Sequence, residues 1–231
     1  MSGPWEPATV VAIRDETATA KTFTLRLAQP SRHLAGQHYI LRLTAEDGYT
    51  ASRSYSVASA PDGTADIDLT IERLPGGEVS MFLHDEVVVG DKLEVRGPIG
   101  GWFVWQADSP ALLIGGGSGV VPLMAMLRLA RRNAVSDLVR LVVSVRAPSD
   151  LYYREELPGP ETTIIYTRHA PAGYSRSPSH LAAPDLTMLL SLNTTVYICG
   201  SSPFADAATD AVVALGTTTD RIRIERFGPT G

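Results

Sequence analysis

Two glycine-rich turns and one basic–aromatic tetrapeptide hold the residues best suited to chemistry in this chain. Gly117-Ser118-Gly119-x-x-Pro122 follows the apolar run Ala111-Leu112-Leu113-Ile114 and precedes a helical pattern. Glycines let a backbone turn tightly and approach a pyrophosphate. The helix behind them offers unpaired N–H groups and a positive dipole end. Proline stands where the third glycine of the ordinary dinucleotide fingerprint would be. It fits a first helical turn, where its missing N–H costs nothing. Without that strand–loop–helix context the run is a plain tight turn.

The second glycine turn, Gly76-Gly77-Glu78-Val79-Ser80, also leads into a short helical pattern and offers a second anion cradle. Upstream, Arg53-Ser54-Tyr55-Ser56 closes an expected strand. Alternation puts Arg53 and Tyr55 on one face. An aromatic ring there can stack on a flat heterocycle while the guanidinium neutralises phosphate. Ser56, where the strand ends, is placed to hydrogen-bond a ring nitrogen. Alone, the tetrapeptide is an ordinary β pattern. Two anion cradles in one small chain point to two nucleotide cofactors.

Two further stretches bear on the second cradle. The apolar run Val139–Val145 ends in Ser144-Val145-Arg146, with no ribose-binding acid after it. A hydroxyl and a guanidinium suit a 2′-phosphate, which favours NADPH over NADH; the alternative for Arg146 is a solvated surface arginine. Tyr197-Ile198-Cys199-Gly200-Ser201-Ser202-Pro203 ends another expected parallel strand, and ligands of such sheets bind beyond the carboxyl ends of strands. Gly200 permits close approach, and Pro203 starts the next helix. Cys199 either faces that cleft or fills a core gap.

The elements that must carry these residues differ between the two halves. Up to about Trp105 the pattern is short and alternating. Strands are expected at Ala8–Arg14, Thr22–Ala28, Tyr39–Leu43, Thr50–Val57, Ile67–Arg73 and Lys92–Arg96, with one helix at Val79–Asp85. That texture predicts a closed antiparallel β-barrel. After Ser109-Pro110, strands at 111–114, Val139–Val145, Thr163–Thr167, Thr194–Cys199 and Ile222–Glu225 alternate with helices at Pro122–Asn133, Leu151–Leu157, Asp185–Ser191 and Pro203–Leu215. This predicts an α/β doubly wound parallel sheet. The expected domains are residues 1–106 and 107–231.

Composition narrows the class. The chain has 231 residues, enough to bury one large core or two small ones. Its net charge of −5 disfavours a general nucleic-acid role. All of that charge resides in residues 1–105; the remainder balances its acids with arginine alone. The apolar runs are too short to span a membrane, and the N-terminal stretch has neither the basic nor the apolar region of a signal peptide. One cysteine cannot ligate an iron–sulfur cluster by itself, and it fits a reducing, cytoplasmic location.

In order, Arg53-x-Tyr55-Ser56, Gly77-x-Val79-Ser80, Gly97-Pro98-Ile99-Gly100, Gly117-x-Gly119-x-x-Pro122 and Cys199-Gly200-x-x-Pro203 resemble the motifs of the ferredoxin–NADP reductase superfamily. The likeness is to its compact bacterial members that serve oxygenases, and it covers nearly the whole chain. It implies a flavin-dependent NAD(P)H oxidoreductase using FAD, and NADPH more than NADH. Arg53 would bind the flavin pyrophosphate, Tyr55 would stack on the isoalloxazine, and Ser54 and Ser56 would flank it, with Ser56 at the reactive N5 edge. Backbone at Ile71, Glu72 and Arg73 would hold the ring or ribityl chain. Gly77, Val79 and Ser80 would cradle the pyrophosphate.

For the nucleotide, the likeness implies Gly117, Ser118, Gly119, Pro122, Ser144, Arg146, Arg168, Arg176, Gly200, Ser201 and Pro203. Cys199 would lie beside the nicotinamide. Relatives often have a further arginine in the stretch where this chain has Arg176 and His180. Glu225-Arg226-Phe227 resembles the segment placed over the flavin, with Glu225 relaying protons and Phe227 covering the ring; the alternative for Glu225 is a surface carboxylate. Relatives fused to a plant-type ferredoxin carry a cysteine quartet that is absent from this sequence. The implied protein is a monomer passing single electrons to a separate iron–sulfur or oxygenase component. Reduction of small acceptors such as free flavin or ferric chelates, or a non-catalytic nucleotide-binding role, remain alternatives.

Overall fold

Alternating apolar and polar residues in the first half place one side chain in two toward a common interior, and that interior closes on itself. The computed structural model describes residues 3–191 and 193–227. Six strands, β1 (Glu6–Thr17), β2 (Ala20–Arg26), β3 (His38–Thr44), β4 (Thr50–Ser56), β5 (Asp66–Glu72) and β6 (Lys92–Ile99), form an antiparallel sheet in the order β4-β3-β6-β1-β2-β5. Its two edges meet where Val57 bridges Leu69 and the Ala58 N–H donates to the Asp68 carbonyl at 2.8 Å. The expected barrel is thus present. Phe23, Leu25, Tyr39, Leu41, Leu69 and Val95 fill it, and helix α1 (Glu78–Asp85) adds Val79 and Leu83. Each such side chain contributes about 1.5–3 kcal/mol on leaving water.

The second half is a five-stranded, all-parallel sheet: β7 (Ala111–Gly116), β8 (Val139–Val145), β9 (Thr162–Tyr166), β10 (Thr195–Ser201) and β11 (Ile222–Phe227), ordered β11-β10-β7-β8-β9. Strands buried on both faces are nearly continuous apolar runs, as β7 and β8 are. Helix α2 (Val120–Arg132) covers one face against Leu113, Leu141 and Val143. Helix α4 (Ser202–Ala214) covers the other against Leu112, Ile114, Val142 and Ile198. The chain winds outward from β7 through β8 to β9, then returns to β10 on the other side of β7. That reversal opens a crevice at the carboxyl ends of β7 and β10.

Two expected helices differ. Residues 151–157 form turns behind a short 3-10 segment, Pro148–Asp150. Tyr153 there adopts φ 53°, a left-handed conformation that breaks a helix, and its N–H donates to Glu16 Oε2 at 3.0 Å. The helix expected at 185–191 is one turn, α3 (Ala183–Leu186). Strand β1 is longer than its apolar pattern, because it pairs with β2 along its length and with β6 at its start, absorbing two register shifts.

The two halves share a core. Ala20, Ala35 and Ala58 of the first half pack in one buried cluster with Met124, Met126 and Leu127 of α2 and with Tyr152 and Tyr153. Gly36 lies at this seam: a Cβ there would fall 1.9 Å from the Phe103 carbonyl oxygen of its own half and 2.8 Å from the Met126 side chain of α2.

Candidate functional site

Strand β4 presents the tetrapeptide at the carboxyl end of its run. Arg53 is exposed, and among the described residues no carboxylate lies within salt-bridge distance; its guanidinium donates only to the neighbouring Ser52 carbonyl at 2.8 Å. Tyr55 is half-buried against the barrel core, directly across the ladder from Tyr39. Burial pushes its phenol up to about 12, partly offset by Arg53, so the ring is neutral at ordinary pH. Ser54 is exposed, and Ser56 is buried opposite His38. Burial lowers the His38 pKa, leaving a neutral imidazole. His38 carried no sequence signal beyond β alternation.

The turn before α1 is built around Ser80. Its hydroxyl donates to the Gly77 carbonyl at 3.1 Å and accepts from the Leu74 N–H at 3.1 Å. Ser80 therefore shapes the cradle with its side chain turned inward. Gly77 caps the helix and has no room for a Cβ, which would lie 2.6 Å from Ser80 Oγ. No side chain caps α1, which leaves its first N–H groups for an anion. Val79 is buried in the core.

The expected β5 contributions are partly taken. His84 Nε2–H donates to the Ile71 carbonyl at 2.9 Å, and Arg73 forms a two-point pair with Asp85. Glu72 is half-buried and uncommitted.

At the second sheet's crevice, the Gly117–Gly119 turn and the end of β10 pack backbone to backbone. Gly117 has φ 55° and open space around it. Gly119 heads α2 and lies so close to β10 that a Cβ would fall 2.1 Å from the Cys199 carbonyl oxygen. Ser118 is half-buried, and Pro122 sits within the first turn of α2. Neither α2 nor α4 has a side-chain cap; Ser201 and Pro203 open α4, both exposed. These uncapped helix heads, with Arg53 free of any carboxylate partner among the described residues, fit two phosphate-bearing cofactors.

Beyond β8, Arg146 is exposed and Ser144 is buried. The N–H groups of Arg168 and His169 both donate to the Arg146 carbonyl at 3.0 Å, bringing Arg168 beside Arg146. Neither guanidinium has a carboxylate partner among the described residues. Arg176 does not join them as expected. It donates to the carbonyls of Ser179 and His180 and pairs with Asp185 at 3.0 Å, so it ties down its own loop.

Cys199 also departs from its cleft-facing expectation. Its side chain is fully buried in the cluster shared with α2, and burial followed by Glu225 raises its pKa well above the thiol range, so it is a neutral thiol. Across the ladder, Glu225 is half-buried and raised to about 7 by burial. Phe227 is exposed at the end of β11, beside Ser201. Arg226 pairs with Asp206 at 2.7 Å.

Glu225 sets a pH dependence. An unfolded glutamate titrates near 4.5 and this one near 7, so the folded state holds the proton more tightly. Its stabilising protonation is complete below 4.5 and is lost as pH rises through about 7. Thermal melts from pH 5 to pH 8 should show a larger fall in Tm for the native chain than for Glu225→Gln. Parallel curves would place Glu225 in water.

Comparison with known proteins agrees with this geometry. A family model described as an oxidoreductase FAD-binding domain matches residues 7–104, and one described as an oxidoreductase NAD-binding domain matches residues 113–210. The glycine betaine monooxygenase reductase subunit of Pseudomonas aeruginosa (strain UCBPP-PA14) is 34% identical over 242 residues, covering 95% of this chain and 63% of that protein. This chain therefore spans less than two thirds of that relative. The ferredoxin–NAD(P)(+) reductase component of the naphthalene 1,2-dioxygenase/salicylate 5-hydroxylase systems of Ralstonia sp is 29% identical, covering 96% of this chain and 69% of that protein. An Amycolatopsis cytochrome P450 reductase structure superposes with a TM-score of 0.83 at 26% identity, covering 99% of this chain and 72% of the other. The FAD/NAD-binding domain of nitric oxide dioxygenase from Vibrio cholerae shares the fold, with a TM-score of 0.80 at 23% identity over 97% of this chain and 99% of that one. With a barrel and a doubly wound sheet that each match an oxidoreductase cofactor domain, the chain belongs to the FAD- and NAD-binding oxidoreductases of the ferredoxin–NADP reductase superfamily.

Proposed function

We propose that the chain is an FAD-dependent reductase that oxidises NADPH in preference to NADH and passes electrons singly to a separate protein acceptor. The acceptor class is an iron–sulfur protein or other oxygenase component. The observation that carries the reading is the pair of uncapped helix heads, α1 and α2, one in each half, with Arg53 exposed and unpaired on β4. The relatives' names, reductase components of oxygenase systems, support the acceptor class. The working unit is a monomer with its flavin domain in residues 1–106 and its nucleotide domain in 107–231. The lone cysteine favours the cytoplasm, and none of the described helices is long and apolar enough to cross a membrane.

Bound FAD supplies the conversion between a two-electron donor and one-electron acceptors. The protein's own residues position and tune. Arg53 and the N–H groups at the head of α1 neutralise the flavin pyrophosphate. Tyr55 offers a neutral ring face, and Ser56 a hydroxyl at the strand end. Gly117, Ser118 and Gly119 let a second pyrophosphate approach α2, with Gly200, Ser201 and Pro203 opposite. Ser144, Arg146 and Arg168 face the 2′-phosphate. Glu225, titrating near 7, holds or releases a proton at its carboxyl oxygen around neutral pH. Phe227 covers the flavin face.

An absorbance spectrum followed by anaerobic titration tests the reading. Yellow protein with one FAD per chain should bleach on NADPH, and less readily on NADH. Colourless protein, or yellow protein that NADPH leaves unbleached, refutes it. Arg146→Ala should raise KM for NADPH about tenfold or more, since a charge-assisted phosphate bond contributes roughly 1.5–3 kcal/mol. KM for NADH should move less than about twofold on the same argument. Equal shifts would remove the 2′-phosphate role.

A further inference from the structure

We propose that Arg128 is a positioning residue that fixes the nucleotide loop at the head of α2 against the flavin strand β4. The proposal rests on the function proposed above. Arg128 lies on α2 with its side chain only 16% exposed. Its guanidinium is shared between the halves. Nε and Nη2 make a two-point pair with Glu156, at 2.9 and 2.5 Å, within the second half. Nη1 crosses to the first half, donating to the Ala58 carbonyl at 2.8 Å and lying 3.8 Å from Asp68. Ala58 is where the barrel closes, and it follows Ser56 by two residues. One guanidinium thus ties the helix that starts at Gly119 to the chain two residues beyond the end of β4 at Ser56.

Tyr153 completes the junction. Its ring lies under the Arg128 guanidinium, 5.0 Å from centroid to carbon, and its hydroxyl donates to Thr70 Oγ1 on β5 at 2.6 Å. Its N–H reaches Glu16 on β1. A bulky residue at φ 53° costs on the order of 1–3 kcal/mol unless its surroundings impose it. Here three contacts to the first half, two direct and one through Arg128, do so. The hydroxyl, the N–H and the guanidinium end on β5, β1 and the β4–β5 junction respectively. They fix rotation between the halves as well as distance. Arg131, three positions further along α2, pairs with Glu161 and donates to the Glu156 carbonyl, both in the second half.

The geometry gives Arg128 a specific signature. Helix α2 is rigid and carries the loop about 13 Å from Arg128, at ~1.5 Å per residue. Loosening the tie moves the loop relative to Ser56 while leaving the loop and Arg53 intact. Binding of each cofactor should therefore survive while the reaction between them slows, because small misplacements of reacting partners cost up to about a hundredfold.

The test compares Arg128→Met, Arg128→Lys, the milder Tyr153→Phe and the control Arg131→Met in the full chain. Before any nucleotide is added, amide exchange at Ala58 and Tyr153 should quicken about tenfold or more in Arg128→Met, and not in Arg131→Met. In stopped flow, the limiting rate of flavin bleaching by NADPH should fall about tenfold or more, with KM and flavin content within about twofold. Arg128→Lys, which keeps a donor for Ala58, should recover part of that rate, and Tyr153→Phe should show a smaller loss. Arg131→Met should melt earlier and bleach at the native rate. A native limiting rate in Arg128→Met, or unchanged exchange at both amides, overturns the proposal. A colourless native chain would instead defeat the proposed function itself, and the positioning role with it.

Discussion

Gly119→Ala should lower Tm by about 6–12 °C and abolish NADPH bleaching while the flavin colour stays. Helix propensity argues the other way, since alanine in a helical conformation gains roughly 0.5–1 kcal/mol over glycine. Gly119 has φ −62° and ψ −12°, which any residue adopts. The obstacle is space. An added Cβ would sit 2.1 Å from the Cys199 carbonyl oxygen, 2.4 Å from its carbon and 2.7 Å from the Gly200 nitrogen. All three are backbone atoms of β10, which is hydrogen-bonded to β7 and β11 and cannot yield alone. Overpacking of this kind costs about 3 kcal/mol or more, which outweighs the propensity gain. For a chain of this size, about 3 kcal/mol corresponds to the stated fall in Tm. Gly117→Ala is the comparison: its φ of 55° strains an alanine by about 1–2 kcal/mol, but nothing stands in the way. Equal melting of the two variants by calorimetry would mean that the loop does not rest on β10.

Tyr55→Ala should strip the flavin from the protein. The ring packs on the barrel core on one side and is open on the other. Its phenol, pushed up to about 12, stays un-ionised, so its face is available to a flat heterocycle. Stacking and burial of such a pair together contribute on the order of 2 kcal/mol, or about thirtyfold in Kd. The ratio of flavin to protein absorbance after gel filtration at low micromolar concentration reads this directly. Tyr55→Phe should keep its colour, because the hydroxyl makes no hydrogen bond to a described residue. Full occupancy in Tyr55→Ala would end the stacking role.

The parts of the fold that were legible in the sequence are those governed by local constraints. Glycine at 77, 117 and 119 and proline at 122 and 203 announce turns and helix starts because sterics act within a few residues. Strand β8 ran from Val139 to Val145 as its apolar run does. Residues whose state is set by distant partners were not legible. Tyr153 breaks an otherwise helical pattern only because Glu16, Thr70 and Arg128 hold it from three elements. Arg176 resembles a phosphate ligand until Asp185 is seen beside it. Cys199 lies on a strand buried on both faces, so alternation gave no information about which face its thiol takes. Arg128 falls inside the helical pattern expected at Pro122–Asn133, and nothing local marks it as the tie between halves.

The order of strands in the second sheet also dictates when the nucleotide crevice can exist. In the first half, β1 pairs with β2 and β3 with β4, so hairpins form as soon as their residues are made. In the second, β7 flanks the crevice with β10, and the intervening β8 and β9 must be laid down first. Pairing strands so far apart in sequence carries a loop-closure cost that neighbouring hairpins avoid, and it slows folding, for β1 with β6 in the barrel as for β7 with β10. During synthesis the barrel is therefore complete while β7 still presents an open edge, waiting for Thr195–Ser201 to arrive. All six barrel strands precede β7 in the chain, whereas the crevice between β7 and β10 waits on the later of its two walls.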